Sequence, residues 1–267
     1  MYPTLFELKV GDFLLIISSY RFFGVLAAIY FLFFLQKILY ENELRKRARV
    51  FIAVMIALSF LIGARLLFII IFFEQVLDDP ELIYTLKLTN FSLYGGMGLS
   101  VLSWYLITKQ YQLPFLKLTD RLIPHGALAL MFFRVGCFLN GCCFGKTTEL
   151  PLGVTFPRGS LSHKVQLTPN PFSFFTSPKA VHPTQLYEIL GVLLALIIAW
   201  NIWKKNKISG QLSALFIIFY SVARIANHFF RYYPNTIVWP QTMQAPVMYS
   251  LIILLCTAFV LVQTKNS

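Results

Sequence analysis

The segment Arg134-Val-Gly-Cys-Phe-Leu-Asn140-Gly-Cys-Cys-Phe-Gly145 carries the residues best suited to bind a polar ligand. Arg134 follows the apolar residues 128–133, so in a helix its guanidinium lies within a strongly apolar zone. A charge at that depth costs at least about 2.5–3.5 kcal/mol on insertion scales and marks a functional site by default. Glycines beside Asn140 allow a ligand to come close to the backbone. The segment therefore indicates a polar binding site, with a structural arginine that bridges helix ends as the alternative.

Arginines in apolar stretches outnumber the acidic residues that could neutralise them, because Glu188 is the one acid that clearly lies in such a stretch. Burying unpaired charge is too costly to be maintained, so we expect a ligand to supply the missing anion. The abundant anion in a bilayer is a lipid phosphate, which the planar guanidinium binds through two oxygens. The alternative is that the arginines extend to the membrane interface. The four are Arg21, Arg65, Arg134 and Arg224.

A second polar cluster opens a later apolar stretch with the sequence His182-Pro-Thr-Gln-Leu-Tyr187-Glu188. Proline fits the first turn of a helix. Gln185 and Glu188 are three residues apart, which places them on one helical face. So dense a polar cluster at the start of a membrane helix is more than capping requires, and we expect it to contribute to a site.

Two further patterns are a polar stripe and a glycine cluster. Tyr220, Arg224 and His228 follow one another at four-residue intervals, so they line one side of a helix that should face the bundle interior or a wet cavity. Tyr94-Gly-Gly-Met-Gly98 opens another apolar stretch, where small residues usually indicate close helix packing. Tyr94 taken alone fits an interfacial aromatic residue.

The four cysteines do not have the spacing of a metal site. Cys142 and Cys143 are adjacent, and no CxxC pair is present. A zinc site needs more ligands than this stretch offers, so we expect no metal. Small buried thiols are the default interpretation, with redox chemistry of the adjacent pair as the alternative. The other two are Cys137 and Cys256.

Composition excludes a soluble globular domain. Of the 267 residues, 57% are hydrophobic and 13% are charged, against roughly 45–50% and about 25% in soluble domains. The net charge of +12 does not indicate nucleic-acid binding, because basic residues concentrate in alternate short loops. That distribution is the positive-inside signature, and it predicts an N-terminus outside the cytoplasm and a C-terminus inside it. The N-terminal residues lack a basic n-region, so we expect the first hydrophobic segment to be a retained anchor.

Hydropathy predicts an all-α fold, a single polytopic domain over 1–267 in which seven helices cross the membrane as a bundle. The loop over about 141–182 is long and proline-rich, and we expect it to fold as a small periplasmic cap. No internal repeat is visible, which disfavours a transporter built from inverted repeats. The predicted spans are 14–38, 50–73, 92–108, 122–140, 184–203, 208–230 and 245–263.

These motifs resemble those of the prolipoprotein diacylglyceryl transferase family, in order, from Arg21 to Arg231. Arg134-Val-Gly-Cys-Phe-Leu-Asn140-Gly is similar to the family's Arg-Ile-Gly-Asn-Phe-Ile-Asn-Gly. His182-Pro-Thr-Gln-Leu-Tyr187-Glu188 is similar to its His-Pro-Ser-Gln-Leu-Tyr-Glu. The shorter similarities are Arg21-Phe-Phe-Gly24 to Arg-Trp-Tyr-Gly, Gly63-Ala-Arg65-Leu to the second-span signature, Tyr94-Gly-Gly to His-Gly-Gly, and Tyr220 through Arg224 to Arg231 to the sixth-span motif.

The resemblance implies an inner-membrane enzyme that transfers the diacylglyceryl group of phosphatidylglycerol to the lipobox cysteine of a prolipoprotein, without a cofactor, metal or nucleic acid. It implies that Arg134 and Arg224 hold the lipid phosphate and that Asn140 and Gly145 position the headgroup. Tyr94 and His228 complete the expected catalytic set. The remaining expected substrate-binding residues are Arg65, Gly95, Gly96, His182, Gln185, Tyr187, Glu188 and Tyr220.

Departures from the family pattern include the acid and base residues, and Phe23 replaces the tyrosine of the first-span motif. Tyr94 replaces the family's histidine, Cys137 an asparagine, Cys142 a glutamate, and His228 the sixth-span glutamate. The base that takes the thiol proton is therefore expected at His228. The alternatives are a transferase with a different acceptor, or a lipid-binding membrane protein such as a scramblase or assembly factor.

Overall fold

The computed structural model describes residues 4–10, 13–84, 92–167, 177–233 and 241–265. Two antiparallel strands are followed by nine helices and one 3₁₀ turn in this part of the chain. The elements are β1 (Thr4–Val10), β2 (Phe13–Ser18), α1 (Ser19–Glu41), α2 (Lys46–Ile71), α3 (Phe73–Asp78), the 3₁₀ turn Pro80–Ile83, α4 (Leu93–Gln110), α5 (Phe115–Asn140), α6 (Leu161–Gln166), α7 (Thr184–Asn206), α8 (Gln211–Phe230) and α9 (Gln241–Lys265).

Six helices of the described residues are long and apolar enough to cross a membrane: α1, α2, α5, α7, α8 and the segment Pro246–Gln263 of α9. They coincide with six of the seven predicted spans, and they indicate a multi-pass membrane protein. The remaining predicted span, 92–108, coincides with α4, an 18-residue helix outside this set. Three glycines and a polar last turn lower the apolar character of α4.

The first predicted span starts too early. Residues 14–18 belong to β2, which pairs antiparallel with β1, and the helix begins at Ser19. The run Leu14-Leu-Ile-Ile17 is equally compatible with a strand and a membrane helix, and backbone pairing with β1 decides the outcome.

Two compact units divide the chain. One comprises Leu32–Thr119, and the other comprises Met1–Phe31 with Asp120–Ser267. In the first unit α2 and α4 are in close contact at Gly63 and Gly95. A side-chain carbon on either glycine would collide with the carbonyl oxygen of the other, so the contact depends on both being glycine. This pair fits the small-residue packing that the glycine cluster predicts.

The second unit is built on α5, α7 and α8. Buried residues of the three helices, among them Ala127, Val192 and Phe216, form one apolar cluster. The start of α8 is fixed to α5 by Asp120, whose carboxylate accepts hydrogen bonds from the backbone N–H of Gly210 (2.6 Å) and Ser213 (2.8 Å). The same carboxylate accepts the Ser213 hydroxyl at 2.6 Å.

The long loop after α5 is ordered where the structure describes it; its residues 168–176 lie outside the described part. The backbones of Val154 and Val181 pair through two hydrogen bonds, each 3.0 Å long, in which each N–H donates to the carbonyl of the other residue. Phe144, Phe156 and Val181 form a small apolar core beneath these bridges. The loop therefore has its own packing and is not a flexible linker in these parts.

Candidate functional site

Three charged side chains meet at the centre of the second unit. Glu188 on α7 accepts Arg134 of α5 on Oε1 at 2.9 Å and Arg224 of α8 on Oε2 at 3.0 Å. The Tyr220 hydroxyl donates to Oε1 at 3.0 Å. The two arginines and the glutamate are 6%, 7% and 3% exposed, so the cluster is desolvated.

The expectation that Arg134 and Arg224 depend on a ligand for their anion was wrong in part, since both bind Glu188. One carboxylate shared by two guanidiniums nevertheless leaves the three side chains with a net charge of +1. The Arg134 Nε atom is also buried and has no hydrogen-bond partner among the described residues. An excess positive charge beside an unused donor suits a monovalent anion.

Aromatic and sulfur groups complete the surroundings of the two guanidiniums. Arg224 Nε donates to the Tyr249 hydroxyl at 3.3 Å, and its guanidinium lies 5.7 Å from the centre of that ring. Arg134 lies 5.6 Å from the ring of Phe133 and places Nη1 3.9 Å from the sulfur of Cys137. These contacts, with the ion pairs to Glu188, hold both guanidiniums against neighbouring side chains.

The start of α7 is tied to the segment that follows α5. Gln185 Nε2 donates to the carbonyl of Cys142 at 2.6 Å, and the Thr184 hydroxyl donates to that of Cys143 at 2.5 Å. Asn227 of α8 donates to the carbonyl of Thr184 at 3.0 Å. The buried atoms Gln185 Oε1 and Asn227 Oδ1 have no hydrogen-bond partner among the described residues, so they add acceptors beside the cluster.

Asn227 and Thr184 are absent from the predicted site residues. A signal for Asn227 was present, because it is a polar residue between Arg224 and His228 on a membrane helix. Thr184 has no such signal, since a threonine in a first helical turn is ordinarily read as a capping residue.

Several predicted residues contact each other at the edge of the cluster. His182 Nδ1 lies 3.1 Å from the Tyr187 hydroxyl. Gly145 donates its N–H to the carbonyl of His182 at 2.9 Å, and a side-chain carbon at Gly145 would meet His182 and the Phe230 carbonyl. Close packing is therefore sufficient to account for this glycine.

The predicted base, His228, and the predicted headgroup residue, Asn140, have no hydrogen bond to the arginine cluster among the described contacts. His228 is half-buried, and its Nδ1 lies 2.7 Å from the Tyr233 hydroxyl. Tyr220 and Arg224, by contrast, hydrogen-bond to Glu188. Asn140 is half-buried at the last residue of α5.

The remaining predicted residues belong to the unit Leu32–Thr119 and are described by themselves. Arg65 is half-buried, donates to the carbonyl of Leu82 and lies over the ring of Phe68 at 5.7 Å. Tyr94 is exposed, and Gly95 and Gly96 pack against α2.

Three cysteines, two of them adjacent in the sequence, come together beside Arg134. The sulfur atoms of Cys137, Cys142 and Cys143 all lie within 4.8 Å of one another. Hydrogen bonds from the Cys137 and Cys142 thiols, with the positive charges of Arg231 and Arg134, lower the pKa of the Cys143 thiol. Of the three thiols expected to be small and buried, Cys137 is buried, and Cys142 and Cys143 are half-buried.

A groove elsewhere in the same unit has a different lining. It has a volume of about 260 Å³ and is lined by Pro124, Leu196, Ile197, Trp200 and Asn201. None of these is a predicted site residue, so the arginine cluster remains the polar centre of the unit.

Comparison with known proteins identifies the family. A model of the prolipoprotein diacylglyceryl transferase family matches residues 5–263. A phosphatidylglycerol–prolipoprotein diacylglyceryl transferase of Clostridium tetani is 35% identical over 240 residues, which cover 86% of each chain. One of Rickettsia bellii is 28% identical over 225 residues, covering 81% of this chain and 79% of its own. The match spans nearly the whole chain and confirms the resemblance of the motifs: the chain belongs to the prolipoprotein diacylglyceryl transferase family.

Proposed function

We propose that this protein transfers the diacylglyceryl group of phosphatidylglycerol to the lipobox cysteine of prolipoproteins and releases glycerol phosphate. The observation that carries the proposal is the buried cluster of Arg134, Glu188 and Arg224 with its net charge of +1. A phosphodiester carries a single negative charge, so the headgroup of phosphatidylglycerol would neutralise the cluster. The names of the Clostridium tetani and Rickettsia bellii relatives state this activity for those proteins.

In the proposed reaction the acceptor sulfur attacks the glycerol carbon that carries the phosphate. The new carbon–sulfur bond replaces the carbon–oxygen bond, and the electron pair leaves with glycerol phosphate. Arg134 and Arg224 stabilise the charge that accumulates on the departing phosphate, since fixed donors in a desolvated site act most strongly there. His228 takes the thiol proton, and Glu188 holds both guanidiniums in place.

The other predicted residues take positioning roles in this proposal. Tyr220 orients the arginine cluster through Glu188, Gln185 holds the start of α7 against the Cys142 carbonyl, and His182 pairs with Tyr187. Asn140 and Gly145 shape the backbone against the headgroup. Arg65, Tyr94, Gly95 and Gly96 keep their predicted roles in lipid binding, as part of a single transferase domain over 1–267.

The proposed setting is the bacterial inner membrane. The loop charges orient the N-terminus to the periplasm and the C-terminus to the cytoplasm. In this arrangement α4 is the third of seven spans in chain order. The loop from Gly141 to His182 forms a periplasmic cap where lipoprotein substrates arrive. The 18 residues of α4 extend about 27 Å, close to the hydrocarbon thickness of about 30 Å.

Membranes containing the protein, labelled phosphatidylglycerol and a lipobox peptide provide the test, with product masses determined by mass spectrometry. The wild type should form the diacylglyceryl thioether, and Arg134→Ala or Arg224→Ala should lower the rate by at least about 100-fold, as loss of a transition-state donor does. Arg47→Ala, which removes an exposed arginine at the start of α2, is the matched control and should keep the wild-type rate. Wild-type rates in both cluster variants would refute the proposal.

A transferase with a different acceptor is the second candidate, favoured by the replacement of family residues at Tyr94, Cys137, Cys142 and His228. It predicts consumption of phosphatidylglycerol without modification of the lipobox peptide. Complementation of a strain depleted of its own transferase separates the candidates, because only prolipoprotein modification restores growth. A scramblase or assembly factor would neither consume the lipid nor restore growth.

A further inference from the structure

The three thiols beside Arg134 are brought together by a tight reversal of the chain. Cys137 lies in the last turn of α5, and Cys142 and Cys143 follow that helix directly. Gly141 and Cys143 have φ values of +71° and +61°, in the left-handed region. A left-handed conformation at a non-glycine residue costs about 1–2 kcal/mol. Such strain is retained where a site requires it, and here it turns both cysteines back towards Cys137.

The geometry points to a metal site, and we propose that Cys137, Cys142 and Cys143 bind one Cu(I) ion through their three sulfur atoms. The sulfur atoms lie within 4.8 Å of one another. With metal–sulfur bonds of about 2.3 Å, three sulfurs in a trigonal plane are about 4.0 Å apart. The existing arrangement therefore closes on an ion by small side-chain rotations, without movement of α5.

The ligand set selects the metal. Thiolates are soft ligands that favour Cu(I) and Zn(II) over harder cations. Zinc in structural sites is almost always four-coordinate, whereas Cu(I) accepts three sulfur ligands. Three cysteines thus match Cu(I) better, although the sequence spacing predicted no metal.

Neighbouring groups would offset the negative charge of the ion with its thiolates and hold the ligand residues in place. A Cu(I) ion with three thiolates carries two net negative charges. The Arg134 guanidinium lies 3.9 Å from the Cys137 sulfur, and Arg231 acts on Cys143. Thr184 and Gln185 hold the carbonyls of Cys143 and Cys142 from α7, so the ligands are fixed before the ion arrives.

The full-length protein in detergent, reduced and kept anaerobic, is titrated with Cu(I) in competition with bicinchoninate. One Cu(I) should bind per chain, and copper K-edge absorption of the wild type should fit three sulfur neighbours at about 2.3 Å. Cys137→Ser, Cys142→Ser and Cys143→Ser should each lower the affinity by at least about 100-fold, more than loss of an outer-shell partner does. Cys256→Ser, on α9, is the matched control and should bind as the wild type does.

Other outcomes overturn the proposal. Absence of stoichiometric Cu(I) binding by the wild type, or nitrogen and oxygen neighbours in the absorption spectrum, would refute the site without reference to any variant. Equal effects of Cys256→Ser and Cys143→Ser would show adventitious thiol binding. Zn(II) that displaces Cu(I) at equal concentration and shows four neighbours would overturn the assignment of the metal.

Discussion

Arg134 and Arg224 bind opposite oxygens of one buried carboxylate, that of Glu188, from two different helices. The arrangement links α5, α7 and α8 through a single charged group in a desolvated centre. It also means that neither guanidinium is neutralised in full. The same contact thus stabilises the unit and leaves the three side chains with a net charge of +1, which we propose an anionic lipid headgroup neutralises.

Glu188→Gln should destabilise the protein strongly, because it leaves two buried guanidiniums beside a neutral amide. Removal of one partner from a buried ion pair costs about 3–5 kcal/mol. Chemical denaturation in detergent, followed by tryptophan fluorescence, measures this loss. Tyr220→Phe removes only one hydrogen bond to the same carboxylate and should cost about 1.5–3 kcal/mol. A Glu188→Gln protein as stable as Tyr220→Phe would contradict the shared ion pair.

Arg134→Lys should lower the transfer rate by about 100-fold while the protein still folds. Lysine keeps the charge but lacks the planar fork that binds Glu188 and that, in the proposed function, would bind a phosphate at the same time. Steady-state kinetics in mixed micelles with phosphatidylglycerol measure the effect on kcat and KM separately. Arg47→Lys is the control at an exposed position. Full activity of Arg134→Lys would show that a point charge suffices.

Gly95→Ala should weaken the packing of α2 against α4, since the added methyl group would collide with the carbonyl of Gly63. Overpacking of this kind costs about 1–3 kcal/mol. Gly98→Ala, three residues along the same helix, meets open space and should be neutral or stabilising by up to about 1 kcal/mol. Thermal unfolding of both variants in the same detergent compares them directly, and equal losses would exclude a close contact at Gly95.

Asp120→Asn should loosen the start of α8 without touching the arginine cluster. The substitution removes the charge from an acceptor of three hydrogen bonds at 2.6 to 2.8 Å. Hydrogen bonds to charged groups contribute about 1.5–3 kcal/mol, so a loss of that order is expected in denaturation. Ser213→Ala removes only the hydroxyl contact and should cost about 1 kcal/mol. Unchanged hydrogen exchange in the first turn of α8 in Asp120→Asn would contradict the anchoring role.

The sequence alone determined the membrane class, six of the helices and the family. Hydropathy over about 20 residues is a local property, so it can be read without knowledge of the fold. The same holds for the motifs around Arg134 and Glu188, where residue types and order are sufficient to indicate a polar site. The start of α1 was misplaced, because strand pairing with β1 competes with helix formation over residues 14–18, and α5 begins at Phe115, before its predicted start at 122.

The tertiary structure determined which side chains pair with each other. Glu188 and Arg224 are 36 residues apart, and no local pattern states that one carboxylate serves two arginines. The three thiols meet only because Gly141 and Cys143 adopt left-handed conformations, which spacing does not encode. Side-chain partners depend on how helices pack and how the chain turns between them, whereas local hydropathy depends only on the residues themselves.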